Sequence, residues 1–364
     1  MERLALDISS KELILPFLIA CVALSAAIFL FFIWLRLRPP SSKESQNVVS
    51  LPGLESIPRE RVLGLLSQHH IAGLYFLHGT FAGIDPLGVA EVPLLRHVSG
   101  HLGRMIKRQI RGKGYVEQNV IANLNAAVPT QTIDWSGENH HLGRLNGAYR
   151  LLLDLTPSKA GTLLVMGHSH AAQLMAMVQH MRLQTDTGLK LLSFASRLGF
   201  DEKTLAAKAH SLRPQSFHWV TLGSHLRLDF PVPKQDFLCH FLNIQTSTLA
   251  FDFITPRGDW IQRIAAEGSD FSPSLPKHRE LNRALNQILD EGMSPGIWFK
   301  NMRGGVKIGN QGVSFLLDYG DSTTPIIGSV KSLWGHGVYF SEQAIYFQIY
   351  QYLSYLENPP SRNS

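Results

Sequence analysis

Apolar and polar positions are unevenly spread along the chain. Residues 13–35 (LILPFLIACVALSAAIFLFFIWL) carry no charge over 23 positions. At 1.5 Å per residue, a helix of that length covers roughly 30 Å, the hydrocarbon thickness of a bilayer. Pro16 falls in the first turn, where its missing N–H is tolerated, Trp34 suits the interface, and Arg36 and Arg38 stop the run. The pattern predicts one membrane-spanning helix that is not cleaved. The run is too long for the h-region of a signal peptide, and Glu2, Asp7 and Glu12 dilute the leading positive charge. Leu18-Ile19-Ala20-Cys21 matches a lipoprotein cleavage box, but such a box closes its apolar run, and here about fourteen apolar residues follow. Arg3 and Lys11 precede the span, while Arg36, Arg38, Lys43, Arg59 and Arg61 follow it, which tips the expected orientation toward a cytoplasmic C-terminal domain.

Residues 1–12 form a flank, and 36–60, with PPSSKESQNV at 39–48, read as a linker. Over 61–357 apolar runs alternate with amphipathic stretches, the signature of an α/β domain with a parallel sheet; 358–364 are a tail. Short buried strands are predicted at 73–77 (GLYFL), 128–133, 161–166 (GTLLVM) and 217–222 (FHWVTL). Helices are predicted at 142–155, with Leu145, Ala148, Tyr149, Leu152 and Leu155 on one face, at 171–181, and at 341–353. Residues 188–214 have room for one or two helices, a candidate lid or cap insertion.

Composition narrows this picture. Outside the apolar segment about 300 residues remain, enough for one large domain or two small ones. Basic residues outnumber acidic ones 34 to 28, but they are scattered, which argues against a nucleic-acid partner. Cys21 and Cys239 are the only cysteines, so no disulfide framework exists. No G-x-G-x-x-G or Walker pattern follows a predicted strand, which disfavours a nucleotide-binding protein. The histidine pairs His69-His70 and His140-His141 lack metal-ligand spacing.

Candidate chemistry begins at Gly167-His168-Ser169-His170-Ala171, between the strand GTLLVM and the helix AAQLMAMVQHM. A sharp strand-to-helix turn lifts a serine hydroxyl into an exposed, strained position, and it needs small residues two before and two after the serine. Gly167 and Ala171 meet that need, although the usual last residue is glycine. The helix N-terminus adds N–H donors and a favourable dipole for an oxyanion. Some 90 residues upstream, His78-Gly79-Thr80 closes another buried strand. Late in the chain, Gly335-His336-Gly337 presents a histidine from a glycine-flanked loop.

In this order, across 73–353, these motifs resemble the serine hydrolases of the α/β-hydrolase superfamily, its lipase- and esterase-like members above all. The phrases Thr221-Leu222-Gly223-Ser224 and Trp135-Ser136-Gly137-Glu138-Asn139 look like segments of the same group. The resemblance implies a mostly parallel sheet with helices on both faces and a Ser…Asp…His chain order. It implies Ser169 as nucleophile, His336 as base, and the backbone N–H groups of Thr80 and His170 as oxyanion donors. For the acid, 249–261 offers Asp259 and Asp252. If 250–254 is the strand, Asp259 sits at its end; if 240–246 is, Asp252 is nearer. Asp259 is preferred. The resemblance further implies cleavage of carboxylic esters, lipid or lysophospholipid-type given the anchor, with no metal or organic cofactor. The alternative is a catalytically silent hydrolase-fold module that binds or assembles at the membrane.

Overall fold

The computed structural model describes residues 23–27, 30, 48–79, 116–158, 161–224, 228–244, 259, 262, 273, 275–289, 311–320 and 337–359. The expected membrane span lies outside the described residues except for 23–27 and 30, which are helical and exposed. Among the described residues no helix is long and apolar enough to cross a membrane.

Among the described residues the domain is built on one sheet of seven strands, all parallel. These are β1 (Val48–Leu51), β2 (Ile71–Leu77), β3 (Thr130–Ile133), β4 (Thr162–His168), β5 (Phe217–Leu222), β6 (Phe237–Asn243) and β7 (Val313–Leu317). Their order is β1-β7-β6-β5-β4-β2-β3. From β4 the chain adds strands in one direction, through β5, β6 and β7; from β2 it steps the other way, to β3. The crevice between the carboxyl ends of β2 and β4 is therefore the topological switch point, where open parallel sheets bind ligands. Register keeps these ends level: Gly167 of β4 lies opposite Leu77 of β2 on one side and Thr221 of β5 on the other.

Central strands of a parallel sheet are covered on both faces and so read as unbroken apolar runs. On β4, Leu163 and Val165 face one cluster while Leu164 and Met166 face the other. The first cluster is roofed by α3 (His141–Asp154), α4 (Ala171–Leu183), α5 (Asp186–Leu192), α6 (Glu202–Ser211) and α7 (Pro276–Leu289). The second is roofed by α1 (Arg59–Gln68), α2 (Gln118–Asn125) and α8 (Glu342–Glu357). Residues 188–214 thus build α5, a 3-10 turn at Ser196–Leu198 and α6; Leu191, Phe194, Leu205 and Leu212 bury themselves in the first cluster. The stretch 36–60, expected as a linker, carries β1 and the first residues of α1.

Helix α4 is buried over almost its whole length, Ala171 to Arg182. Its one cation, Arg182, is completely buried, ion-paired and hydrogen-bonded to Asp236 just before β6. The same carboxylate accepts from Gln179 Nε2 and from the Phe217 N–H at the start of β5. Burial pushes the guanidinium down from its ordinary pKa and the carboxyl up, and the pairing opposes both. At the far edge, β1 lies beside β7. On the second face helices α1 and α8 also meet: Gln68 Nε2 donates to Glu357 Oε1 at 2.6 Å, His69 Nε2 is 3.3 Å from the same oxygen, and Arg61 sits 4.4 Å over the Tyr350 ring.

Candidate functional site at the strand carboxyl ends

Ser169 follows β4 directly, and its backbone has φ +54°. Left-handed backbone costs a residue bearing a Cβ about 1–2 kcal/mol, so the surroundings must impose it. Three bonds do so. The Ser169 N–H donates to Leu222 O at 2.9 Å, the Ser224 hydroxyl donates to Ser169 O at 2.8 Å, and the Ala172 N–H reaches the same carbonyl at 3.2 Å. The turn is thereby locked to the end of β5 and to the first turn of α4. A Cβ on Gly167 would run into Met175 Sδ and press on Ala171, so a larger residue there would require the buried Met175 side chain to shift. His170 caps α4, so its N–H belongs to the helix N-terminus, where the backbone dipole favours negative charge.

Gly79 faces this turn across the switch-point crevice. A Cβ on Gly79 would lie 2.9 Å from both Ser169 Cβ and His168 Nδ1. His78, wholly buried, fixes the backbone beside it. The Trp135 N–H donates to His78 Nε2 at 3.3 Å, which leaves the ring proton on Nδ1 to bond the Gly79 carbonyl at 2.9 Å. Trp135 stacks on the imidazole with centroids 5.6 Å apart, and its indole N–H donates to His78 O at 2.8 Å. Burial pushes His78 below its usual pKa, against the pull of the Gly79 carbonyl, so the neutral tautomer persists.

Asp259, 1% exposed, stands at the carboxyl end of β6, its N–H donating to Asn243 O at 3.0 Å. β6 is Phe237–Asn243, close to the 240–246 alternative under which Asp252 would be nearer; Asp259 is hydrogen-bonded to its end, and Asp252 lies outside the described residues. Its Oδ1 accepts the Gln262 N–H at 2.8 Å, and its Oδ2 accepts the Tyr339 hydroxyl at 2.8 Å. Gly223, with φ +58°, closes the pocket from β5: a Cβ there would sit 2.5 Å from both Asp259 Oδ2 and the Tyr339 ring. The His168 ring, adjacent to Ser169, packs on Tyr339 and Phe340 at 5.6 and 5.0 Å. The ends of β2, β4, β5 and β6 thus converge with the turn Val338–Phe340 on one small region.

No family model, curated protein or solved structure matches this chain.

The structure brings together Ser169, His170, Gly79 and, around the Tyr339 hub, Asp259. Thr80, His336 and Asp252 lie outside the described residues. Tyr339 and Trp135 are the residues that sequence reasoning missed as parts of the site. Trp135 stood in a recognised phrase, and Tyr339 lies three residues after the histidine singled out, but neither has a local pattern that announces its partner. A cavity of about 450 Å³ lined by Tyr75, Asn125, Thr130 and Thr156 opens near the amino ends of β2 and β3, remote from Ser169. Among the described residues no group of three or more metal-ligating side chains occurs.

Proposed function

We propose that this protein is a membrane-anchored serine hydrolase of the α/β-hydrolase fold that cleaves carboxylic esters, of lipid or lysophospholipid type. The observation that carries the reading is Ser169, held at φ +54° between a buried strand and a buried helix at the switch point of a parallel sheet. A strained serine at that turn is the geometry a nucleophile needs, since it frees the hydroxyl from both elements. Gly79 comes so close across the crevice that a Cβ there would press on Ser169, and a carboxylate after β6 supplies the acid in the Ser…Asp…His order.

In this mechanism Ser169 Oγ attacks the ester carbonyl carbon while His336 takes its proton. Asp259 orients the imidazole and stabilises the imidazolium. The oxyanion is met by the backbone N–H groups of Thr80 and His170; one such donor is worth roughly 3 kcal/mol in the transition state. The tetrahedral species collapses, the alkoxide leaves with the proton from His336, and water releases the acid by the same steps in reverse. The chemistry requires no metal or organic cofactor. The apolar span at 13–35 would hold this site beside lipid, with the charge bias around it favouring a cytoplasmic domain.

The test is labelling by a fluorophosphonate probe, together with turnover of nitrophenyl and lysophospholipid esters. The wild-type protein is expected to label and turn over, and Ser169→Ala to do neither. A folded wild-type protein inert to both probe and esters would refute the reading and favour a silent hydrolase-fold module at the membrane.

A further inference from the structure

Tyr339 is completely buried, and among the described residues its hydroxyl meets Asn243 and Asp259. The Asn243 N–H lies 2.9 Å from the phenol oxygen and can only donate to it. The single phenol proton is therefore directed at Asp259 Oδ2, 2.8 Å away. Asn243 holds both partners, since its carbonyl accepts the Asp259 N–H while its own N–H holds Tyr339. The ring is fixed by Tyr319, packed edge-on at 5.0 Å, and by Gln348, whose side-chain amide bonds both Tyr339 O and the Tyr319 hydroxyl. Among the described residues, the titratable groups in contact with the side chain include Asp259 from the loop after β6, Tyr319 after β7 and His168 at the end of β4.

We infer that Tyr339 is the positioning residue for the catalytic carboxylate, a buried neutral donor that fixes Asp259 without cancelling its charge. This rests on the serine-hydrolase reading above. A lysine or arginine in the same place would also orient the carboxylate, but its positive charge would oppose the imidazolium that Asp259 has to stabilise. A phenol orients through one hydrogen bond and leaves the net charge at −1. Burial, and then the charge of Asp259, drive the Tyr339 hydroxyl far above its ordinary pKa, so it stays a donor throughout the working range. Because Tyr339 also opens the chain into α8, the element that follows His336 is tied directly to the acid.

The test compares Tyr339→Phe with a protein carrying 3,5-difluorotyrosine at 339, which keeps the shape but donates more strongly. Both are assayed as the full chain with a nitrophenyl ester, alongside wild type. Tyr339→Phe is expected to lose roughly 10- to 100-fold in kcat/KM, mostly in kcat, the range for one hydrogen bond to a charged group. The acid limb of its pH profile, which reports the base of the free enzyme, should move to higher pH, because an unshared carboxylate charge stabilises the imidazolium more. The fluorinated protein should move the limb to lower pH. A purely structural role predicts a lower melting temperature with the limb unmoved. Active wild type with both limbs unmoved, or a Tyr339→Phe defect confined to KM, would overturn the inference alone. Wild type inert to ester and fluorophosphonate would overturn the underlying hydrolase reading, and this role with it. If Tyr339→Phe does not fold, the isosteric fluorinated protein decides.

Discussion

Ser169 and Gly223 meet left-handed backbone in different ways. Glycine takes it without penalty, and at 223 it also makes room for Asp259 and Tyr339. Serine pays for it, and strain of this kind persists only where the surroundings over-determine it. The motif around Ser169 was legible because steric demands at such a turn are local: Gly167, Ala171 and the flanking apolar runs all lie within a dozen residues. The proposed acid was less legible, because its place depends on which distant segment forms β6. That ambiguity yields a residue-scale prediction. Asp259→Asn should lower fluorophosphonate labelling and ester turnover by orders of magnitude, as loss of the orienting acid does in other triads, while Asp252→Asn stays near wild type. The reverse result in a side-by-side assay would move the acid to Asp252. Tyr339 was invisible for a stronger reason, as its partners Asn243 and Asp259 lie 96 and 80 residues away.

At the scale of elements, continuous burial explains what the chain pattern revealed. β5 was expected over 217–222 and forms over Phe217–Leu222, because a strand covered on both faces is apolar throughout. The helices expected at 142–155 and 171–181 form within two residues of those bounds. β1 escaped notice because it has four residues with alternating exposed and half-buried positions, embedded in a polar stretch. The Arg182–Asp236 pair is another element-scale device, joining the last turn of α4 to the amino ends of β5 and β6. Removing one partner of a buried pair leaves an uncompensated charge and typically costs about 3–5 kcal/mol. Asp236→Ala should therefore show a large drop in urea midpoint. Because the pair sits at the opposite end of the strands from Ser169, the kcat of whatever protein remains folded should stay near wild type.

The whole molecule has a built-in sensitivity to acid. Burial pushes His218 and His240 down to about 4, His218 with help from neighbouring His69, and it lowers His78 and His180 as well. Below pH ~6.5 the unfolded chain binds protons that the folded one refuses, so stability is full above that pH and falls as pH drops toward 4. His218 and His240 each contribute on the order of 3 kcal/mol to this loss. Urea midpoints between pH 7.5 and 4.5 should fall steeply, and His218→Gln should flatten the slope; a flat wild-type profile would contradict the burial argument. The clasp between Gln68 and Glu357 bears on how the protein is made. Its partners are 289 residues apart, and β1 likewise waits for β7. At about 5–20 residues per second of synthesis, the early elements remain without their final neighbours for roughly 15–60 s. Such long-range closure slows folding and leaves strand edges open to wrong partners. During that interval the nascent chain has strong reason to depend on chaperones.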